Sequence, residues 1–284
     1  MFIKHVCNIL RIWFLLSCAI LSIAILCIIA YAFLIEPYTI KVQHVFIENP
    51  AARYVLESRT VVYLSDLHIG RIGIREKKIL RMLDELRPDI IFLTGDYVSW
   101  KGDYEPALDF MNRLNASLGV WAVMGDYDYS VSRKSCLFCH TPNSTMPTTR
   151  HRVRILKNQI EPIKLPRGTV WIAGADYLLD NGSPHETVKH LTQHPGTILL
   201  THEPMVFEAI SDNCSISVLA GDTHGGQLAL PRFFWEKIGY TQLKYMRGLF
   251  RKGRKIMYVT TGIGTSTLPV RFLRPPEIVV VHFI

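Results

Sequence analysis

The sequence predicts an α/β domain built from layers of strands and helices, with a transmembrane helix in front of it. Three observations support this prediction. Short apolar runs alternate with helical patterns from residue 60 to the C-terminus, which is typical of strand–helix–strand units. The length of 284 residues fits one large domain plus an appendage. Hydrophobic residues make up 49% of the chain and charged residues 20%, a balance that excludes a disordered protein.

The N-terminal appendage is an apolar stretch, residues 13–35, without a formal charge over 23 positions. A bilayer requires about 20 such residues, so we expect a retained membrane anchor. A cleaved signal peptide is the alternative, because residues 30–32 resemble a small-x-small cleavage site, although signal h-regions span only about 7 to 15 residues. Two basic residues precede the stretch and two follow it, which leaves the side of the membrane open, with a slight preference for an N-terminus inside.

We divide the chain into a short tail (1–12), the anchor (13–35), a connector with the first strand (36–59) and one domain (60–284). Apolar runs predict eight strands in that domain, at 60–65, 90–94, 120–124, 170–173, 197–201, 216–220, 256–261 and 278–283. Helical spacing predicts helices over 76–87 and over about 104–118. Residues 130–150, rich in Ser, Thr, Pro and Cys, are expected to form a long surface loop.

The net formal charge of +8 is concentrated in residues 231–255, where eight Lys and Arg accompany a single acidic residue, Glu236. The sequence contains none of the standard nucleic-acid-binding motifs, so we expect no nucleic-acid partner. Aromatic and aliphatic residues are interleaved with these cations, a mixture that suits a membrane surface beside the predicted metal site. An ordinary cap with a solvated basic rim is the alternative.

Side chains that can bind metals follow five of the predicted strands, next to Gly, Ser or Thr. The motifs are Ser65-Asp66-Leu67-His68, Gly95-Asp96, Gly125-Asp126-Tyr127-Asp128, Thr201-His202-Glu203 and Gly221-Asp222-Thr223-His224. Strands of an open α/β sheet end at a shared crevice, so residues far apart in the sequence converge there. One Asp after a strand is most often a helix cap, but five strand ends that carry Asp and His predict a metal site.

These motifs resemble those of the calcineurin-like metallophosphoesterases, and in particular a bacterial membrane-associated branch. The family pattern is D-x-H, G-D, G-N-H-D, an isolated His and G-H-x-H, and the similarity extends from residue 60 to the C-terminus. The resemblance implies a two-sheet β-sandwich flanked by helices, with two divalent metal ions. The first metal would be held by Asp66, His68, Asp96 and His224. Asp96 would bridge to a second metal, held also by Asp126, His202 and Asp222.

A dimetal centre of this kind would clamp a phosphoryl group and activate water for in-line attack at phosphorus. Three family positions differ here, because Asp126, Tyr127 and Asp222 stand where the family has Asn, His and His. The two additional Asp raise the number of carboxylates around the metals to four. This set favours manganese or magnesium, with zinc and iron as alternatives.

The replacement at position 127 bears on catalysis. In the family this His contacts the phosphate and helps the leaving group depart, whereas Tyr127, with a reference pKa of about 10, is a weak acid at neutral pH. Asp128 keeps the family position that orients the imidazole, so Tyr127 and Asp128 are the expected catalytic residues. A good leaving group, such as a nucleoside monophosphate, needs less acid assistance and therefore favours a pyrophosphate substrate.

The resemblance implies a single-pass hydrolase of the bacterial inner membrane that cleaves a phosphodiester or pyrophosphate bond. A phosphorylated or nucleotide-linked lipid is the expected substrate, with UDP-2,3-diacylglucosamine of lipid A synthesis as the specific candidate. A domain outside the cytoplasm could not reach that lipid, and a general phosphodiesterase or phospholipid phosphoesterase would then be favoured. The alternative from another class is a catalytically impaired homologue that binds metal or lipid phosphate as a membrane adaptor. Retention of seven metal-capable side chains argues against it.

Cys136 and Cys139 belong to a C-x-x-C-H sequence, the pattern of covalent haem attachment. Nothing else in the sequence indicates redox chemistry. A disulfide, an accessory metal or an incidental pair of loop cysteines is therefore favoured over haem.

Overall fold

A computed structural model describes residues 2–130, 138–140, 146, 148–176, 184–237, 239 and 244–284. Two six-stranded sheets form the domain. The first sheet contains, in spatial order, β1 (Lys41–Ile47), β12 (Glu277–Phe283), β2 (Val61–Leu64), β3 (Ile90–Thr94), β4 (Gly119–Val123) and β5 (Arg154–Ile155). The second contains β10 (Gly248–Lys252), β11 (Lys255–Val259), β9 (Ile216–Ala220), β8 (Ile198–Thr201), β7 (Gly168–Ala175) and β6 (Gln159–Leu165).

The two sheets pack face to face over a dry core. Large side chains of the first sheet, among them Tyr63, Phe92 and Trp121, contact aliphatic side chains of the second, such as Leu200 and Leu219, and all of them are buried. The pairs β2–β3, β3–β4, β7–β8, β8–β9 and β9–β11 are parallel. As a result, the central strands of each sheet run in one direction and deliver their following loops to one end of it.

Helices cover the outer faces of both sheets. On the first sheet, α3 (Ile74–Leu86) and α4 (Glu105–Arg113) bury their apolar sides against the strands. On the second, α5 (Pro184–Leu191) and α6 (Val206–Ala209) do the same. Helix α2 (Pro50–Leu56) follows β1, and α7 (Arg232–Lys237) follows the last metal-site motif. The architecture is the two-sheet sandwich with flanking helices that the sequence predicted.

The N-terminal helix α1 (Phe2–Ala30) continues through a π-helical turn (Tyr31–Ile35) into a short 3-10 turn (Glu36–Tyr38). The segment Leu10–Tyr38 is long and apolar enough to cross a membrane by length and composition. Because α1 begins at Phe2, the segment predicted as a short tail is helical. The division of the chain into tail, anchor, connector and domain stays a prediction.

All eight strands predicted in the domain are confirmed, with ends that differ by at most two residues. The strands that the sequence did not predict are β5, β6 and β10, and each lies at an edge of its sheet. Edge strands are half-exposed, so their sequences lack the continuous apolar run of a central strand. Helix α4 is shorter than predicted, because Leu114 adopts an extended conformation after it.

The predicted surface loop 130–150 lies largely outside the described residues, and so does Cys136. Cys139 is disulfide-bonded, which agrees with the disulfide among the interpretations of the cysteine motif.

Candidate metal centre

The metal-site motifs follow the carboxyl ends of β2, β3, β4, β8 and β9, where the chain reverses sharply after each strand. Five of the seven predicted ligands have backbones in the left-handed region: Asp66 (φ 53°), His68 (φ 43°), Asp96 (φ 57°), Asp222 (φ 72°) and His224 (φ 52°). Positive φ is uncommon for residues other than Gly, and it concentrates at functional sites. The sharp turns at these residues therefore direct the Asp and His side chains towards one another.

Glycines keep the space around Asp66 open. A Cβ atom at Gly262 would lie 2.7 Å from Asp66 Oδ2, and a Cβ atom at Gly221 would lie 2.8 Å from the same oxygen. Gly262 also has a φ of +67°, which side chains rarely allow. Any larger residue at either position would collide with the Asp66 carboxylate, so both positions require Gly.

The first cluster contains Asp66, His68, Asp96 and His224, whose ligand atoms all lie within 4.8 Å of one another. His68 Nε2 lies 3.0 Å from His224 Nε2 and 3.5 Å from Asp96 Oδ2. All four residues are buried. The structure thus brings together the four ligands predicted for the first metal.

The second cluster contains Asp96, Asp126 and His202, again with ligand atoms within 4.8 Å. His202 Nε2 lies 3.4 Å from Asp96 Oδ1 and 3.6 Å from Asp126 Oδ1. Asp222 is adjacent to this group, because its Oδ1 lies 3.7 Å from the same nitrogen. Asp96 is common to both clusters, through its two oxygens, as expected of a bridging carboxylate.

Burial determines the protonation of the first cluster. It lowers the pKa of His68 to about 3 and the pKa of His224 well below its usual range, so both imidazoles are neutral at physiological pH. Burial also raises the pKa of Asp66 to about 6 and the pKa of Asp96 well above its usual range. A bound divalent cation would offset this cost of holding carboxylates away from water.

His202 responds differently, because it is surrounded by acids. Burial alone would lower the pKa of its ring, but Asp96, Asp126 and Asp222 raise it well above the usual range. Without metal, its proton is the positive charge nearest those carboxylates. A cation bound at the second cluster would replace that proton.

The donor set fits two divalent ions. His68 Nδ1 lies 3.1 Å from the Val98 carbonyl oxygen and His202 Nδ1 lies 2.8 Å from the Thr94 carbonyl oxygen. This is the usual outer support of metal-binding His, and it directs each Nε2 inward. Asp66 Oδ2 is buried and has no hydrogen-bond partner among the described residues. Buried carboxylate oxygens are normally paired, and a cation bound at the first cluster would pair this one.

Tyr127 lies at the rim of the clusters and is half-buried. Its ring contacts His68 edge-on, with centroids 4.7 Å apart, and contacts Trp100 in the same way at 5.3 Å. Burial, together with Asp96, raises the pKa of the phenol. Tyr127 and Thr267 both line the cleft, and the Thr267 side chain partly offsets the rise in the pKa of the phenol. At neutral pH Tyr127 therefore keeps its proton and can serve as a hydrogen-bond donor.

Asp128 lies deeper and serves the backbone. Its carboxylate accepts hydrogen bonds from the backbone N–H groups of Asp96 (2.8 Å), Tyr97 (2.7 Å) and Gly125 (2.8 Å). It is buried and does not line the cleft. These contacts join the loops after β3 and β4, and the expectation that Asp128 orients a group at position 127 stays a prediction.

A cleft of about 540 Å³ opens over the clusters. Its polar lining includes Asp96, Asp126, Tyr127, Asp222, His224 and Gln227, and its apolar lining includes Leu228, Trp235, Leu268 and Val270. Sequence reasoning did not identify Trp235, Leu268 or Arg271 as part of the site. Arg271 is fully buried, and its Nη2 lies 3.5 Å from His224 Nδ1. A buried Arg has no signal in hydropathy.

Comparison with known proteins agrees with this geometry. The chain is 29% identical over 258 residues to the uncharacterized metallophosphoesterase YkuE of Bacillus subtilis (strain 168). The aligned region covers 88% of this chain and 87% of YkuE. It is 24% identical over 266 residues to YkoQ of the same organism, covering 91% and 97%. It is 26% identical over 299 residues to the UDP-2,3-diacylglucosamine pyrophosphatase LpxG of Chlamydia trachomatis serovar D, covering 86% and 89%.

A family model covers more than half of the chain. Residues 59–226 match the model of the calcineurin-like phosphoesterases, and this range includes all seven side chains of the two clusters and their neighbours Tyr127 and Asp128. Because the match and the clusters coincide, the chain belongs to the calcineurin-like phosphoesterases and is a metal-dependent phosphoric ester hydrolase.

Proposed function

We propose that the chain is a membrane-anchored dimetal hydrolase that cleaves a phosphodiester or pyrophosphate bond in a lipid-linked substrate. The observation that carries this proposal is the cleft, in which two acidic metal clusters and an apolar lining occupy one cavity. A lipid-linked phosphate has matching parts, a charged group for the clusters and an apolar body. The similarity to LpxG supports UDP-2,3-diacylglucosamine as the candidate of this type.

The proposed ligands are Asp66, His68, Asp96 and His224 for one ion, and Asp96, Asp126, His202 and Asp222 for the other. When bound, two divalent cations supply Lewis-acid stabilisation of phosphoryl oxygens and a source of activated water. Of the ligands, four are carboxylates, which formally balance two divalent charges. This set favours manganese or magnesium over zinc.

The protein's own contribution lies in positioning. The Val98 and Thr94 carbonyls hold the rings of His68 and His202, and Asp128 holds the loops after β3 and β4. Tyr127, at the rim, is placed to donate a hydrogen bond to a departing oxygen. Because its phenol keeps its proton, this donor suits a weakly basic leaving group such as a phosphate. The choice of a pyrophosphate over a phosphodiester substrate rests on this protonated phenol of Tyr127.

Hydrolysis of bis-p-nitrophenyl phosphate by the full chain, with manganese added after chelation, is the first test of the proposal. The second test is release of UMP from UDP-2,3-diacylglucosamine in mixed micelles. We expect turnover of both substrates. Cleavage of bis-p-nitrophenyl phosphate without cleavage of UDP-2,3-diacylglucosamine would identify a phosphodiesterase with another lipid or phospholipid substrate. The same result is expected if the domain lies outside the cytoplasm.

The alternative function is a metal- or lipid-phosphate-binding adaptor at the membrane. It is favoured by a single observation, the phenol at position 127, which cannot supply a proton as an imidazole does. Metal binding without turnover of either substrate, with any divalent ion, would support the adaptor and contradict the hydrolase.

A further inference from the structure

The loop formed by residues 265–274, which we call the junction loop, has two faces. Ser266, Thr267, Leu268 and Val270 line the metal cleft. On the other face, Thr265 and Pro269 line a second cavity of about 220 Å³, which they share with Phe33, Pro37 and Tyr38 at the end of the anchor. A single loop thus separates the metal cleft from the end of the predicted membrane span.

Hydrogen bonds fix the end of the anchor to the junction loop. Glu36 is buried, and its two carboxylate oxygens accept hydrogen bonds from the backbone N–H groups of Leu273 (2.9 Å) and Arg274 (2.7 Å). The backbone N–H of Arg271 donates to the Ala32 carbonyl at 3.0 Å. Bonds to a buried carboxylate are among the stronger ones in proteins. The span therefore enters the domain without a free linker.

Arg271 joins the same loop to the metal site. Its guanidinium donates to the carbonyl oxygens of Thr261 (2.8 Å) and Arg274 (2.9 Å), and its Nε donates to the Gly264 carbonyl at 3.1 Å. Its Nη2 also lies 3.5 Å from Nδ1 of the metal-site residue His224. Anchor, junction loop and metal ligand consequently form one connected unit.

Large apolar side chains are exposed around this junction. Ile74, the first residue of α3, is 79% exposed and lines the second cavity, and Leu273 is 60% exposed. Leu34, Ile35 and Leu268 are exposed as well. Apolar side chains that lie beside the end of a membrane span match the interfacial layer of the bilayer.

The exposed apolar side chains named above lie outside the basic segment 231–255. Its cations are neutralised in part by distant acids: Lys244 and Lys252 pair with Glu208, and Arg251 pairs with Glu48. Lys255 is fully buried and pairs with Asp212. Several cations of the segment are therefore engaged by acids among the described residues, and its role as a membrane-facing surface stays a prediction.

We propose that the junction loop and Ile74 are seated in the interfacial layer of the bilayer that α1 spans, so that the cleft opens at the membrane surface and takes amphiphilic phosphoesters directly from that same bilayer. The seating follows from the contacts of Glu36 and Arg271. The substrate class rests in addition on the proposed hydrolase function.

The seating is tested by fluorescence of the full chain in vesicles. A coumarin amino acid is incorporated at position 273 or, as the control, at position 254. The turn that contains Arg254 lies at the amino end of β11, opposite the carboxyl ends that carry the site. Brominated phosphatidylcholine should quench the probe at 273 and leave the probe at 254 unchanged. Equal quenching at both positions would overturn the proposal.

Varying the charge of the lipid distinguishes apolar seating of the junction loop from membrane binding through basic residues. Because the proposed contact is apolar, quenching at 273 should be the same in pure phosphatidylcholine and in vesicles that contain phosphatidylglycerol, and should resist salt. Quenching that requires the anionic lipid would assign the contact to segment 231–255 and contradict the proposal. Glu36→Ala should reduce quenching at 273 while α1 stays inserted. Unchanged quenching in this variant would show that the clamp does not orient the domain.

A second variant tests the seating with a substitution that does not disturb the fold. Ile74→Asp places an acid in the first turn of α3, where it favours the helix, but it puts a charge into the interfacial layer. We expect it to lose quenching at 273 and most turnover of a long-chain alkyl p-nitrophenyl phosphodiester in vesicles, with unchanged turnover of soluble bis-p-nitrophenyl phosphate. Tyr54→Asp, an exposed aromatic-to-acid change at the opposite end of the domain, is the matched control and should alter none of these.

The outcomes distinguish the two proposals. If the wild-type chain hydrolyses neither phosphodiester, the proposed hydrolase function fails, and the quenching result still decides the seating. If both are hydrolysed and Ile74→Asp affects them equally, the hydrolase stands and delivery from the bilayer is contradicted.

Discussion

His68 and His224 face each other in the interior of the domain, with their Nε2 atoms 3.0 Å apart. Burial lowers the pKa of both rings, so neither carries a charge at neutral pH. His68 Nδ1 lies 3.1 Å from the Val98 carbonyl oxygen, and His224 Nδ1 lies 3.5 Å from Arg271 Nη2. Without metal, one neutral ring can donate a hydrogen bond to the other. A cation bound by both Nε2 atoms would replace that hydrogen bond with two metal–ligand bonds.

Removal of metal should lower the thermal stability of the protein. A metal that binds only the folded chain stabilises it by about 2.7 kcal/mol when present at about 100 times its Kd. We expect calorimetry of the chelated protein to give a lower Tm and manganese to restore it. The same Tm with chelator and with manganese would contradict a metal-dependent core.

Asp96→Ala should eliminate both bound metal equivalents and the hydrolytic activity, because Asp96 is the residue common to both clusters. Elemental analysis of the purified variant measures the metal directly. Asp84→Ala is the matched control, since Asp84 is exposed on α3 and remote from the clusters. Two ions bound to the Asp96 variant would refute the assigned site.

The residues of the site could be predicted, whereas its supports could not. Asp66, His68, Asp96 and His224 are recognisable because each follows an apolar run, and parallel strands bring such positions to one place. The role of Asp128 depends on three backbone N–H groups that only the fold brings to its carboxylate.

Other contacts could not be predicted either, because they pair residues that lie far apart in the sequence. The ion pair of Arg251 with Glu48 joins residues that the sequence separates by two hundred positions. The clamp between Glu36 and the junction loop spans a similar separation. Neither has a local pattern. Edge strands were missed for a different reason, since their half-exposed sequences carry no apolar run.

Metal preference tests the proposed charge of the second cluster. Chelated protein reconstituted with single metals should be more active with manganese or magnesium than with zinc, because carboxylate oxygens are hard ligands. Asp222→His should move the preference towards zinc, since imidazole suits zinc better. Activities measured side by side with each metal decide the point. A wild-type preference for zinc would contradict the argument from four carboxylates.

Asp128→Ala should destabilise the domain strongly. The change leaves three buried backbone N–H groups without their acceptor, and each unsatisfied group costs about 1 to 3 kcal/mol. We expect the free energy of unfolding in urea to fall by roughly 3 to 5 kcal/mol. Asp109→Ala, which breaks an exposed ion pair with Arg113, should cost less than about 1 kcal/mol. A comparable small loss in both variants would show that Asp128 does not hold the loops.

Tyr127→His should raise activity on simple phosphodiesters more than on pyrophosphates. An imidazole with a reference pKa near 6.5 can give up a proton at neutral pH, whereas burial and Asp96 hold the phenol pKa above its usual value. Acid assistance typically supplies about 10² to 10⁴ in rate, and it matters most for a strongly basic leaving oxygen. The gain should fall at or below the low end of that range, because the carboxylate of Asp128 already accepts bonds from three backbone N–H groups.

Tyr127→Phe is the control for this substitution. It keeps the edge-on contacts with His68 and Trp100 but removes the hydroxyl that contacts Thr267. We expect it to lower kcat on both substrate types with unchanged metal content, since only the hydrogen-bond donor is lost. Steady-state kinetics of the three proteins on bis-p-nitrophenyl phosphate and on a nucleotide pyrophosphate separate the two effects. If the His variant gains equally on both substrates, or loses on both, the residue at 127 does not act on the leaving group, and the preference for a pyrophosphate substrate loses its main support.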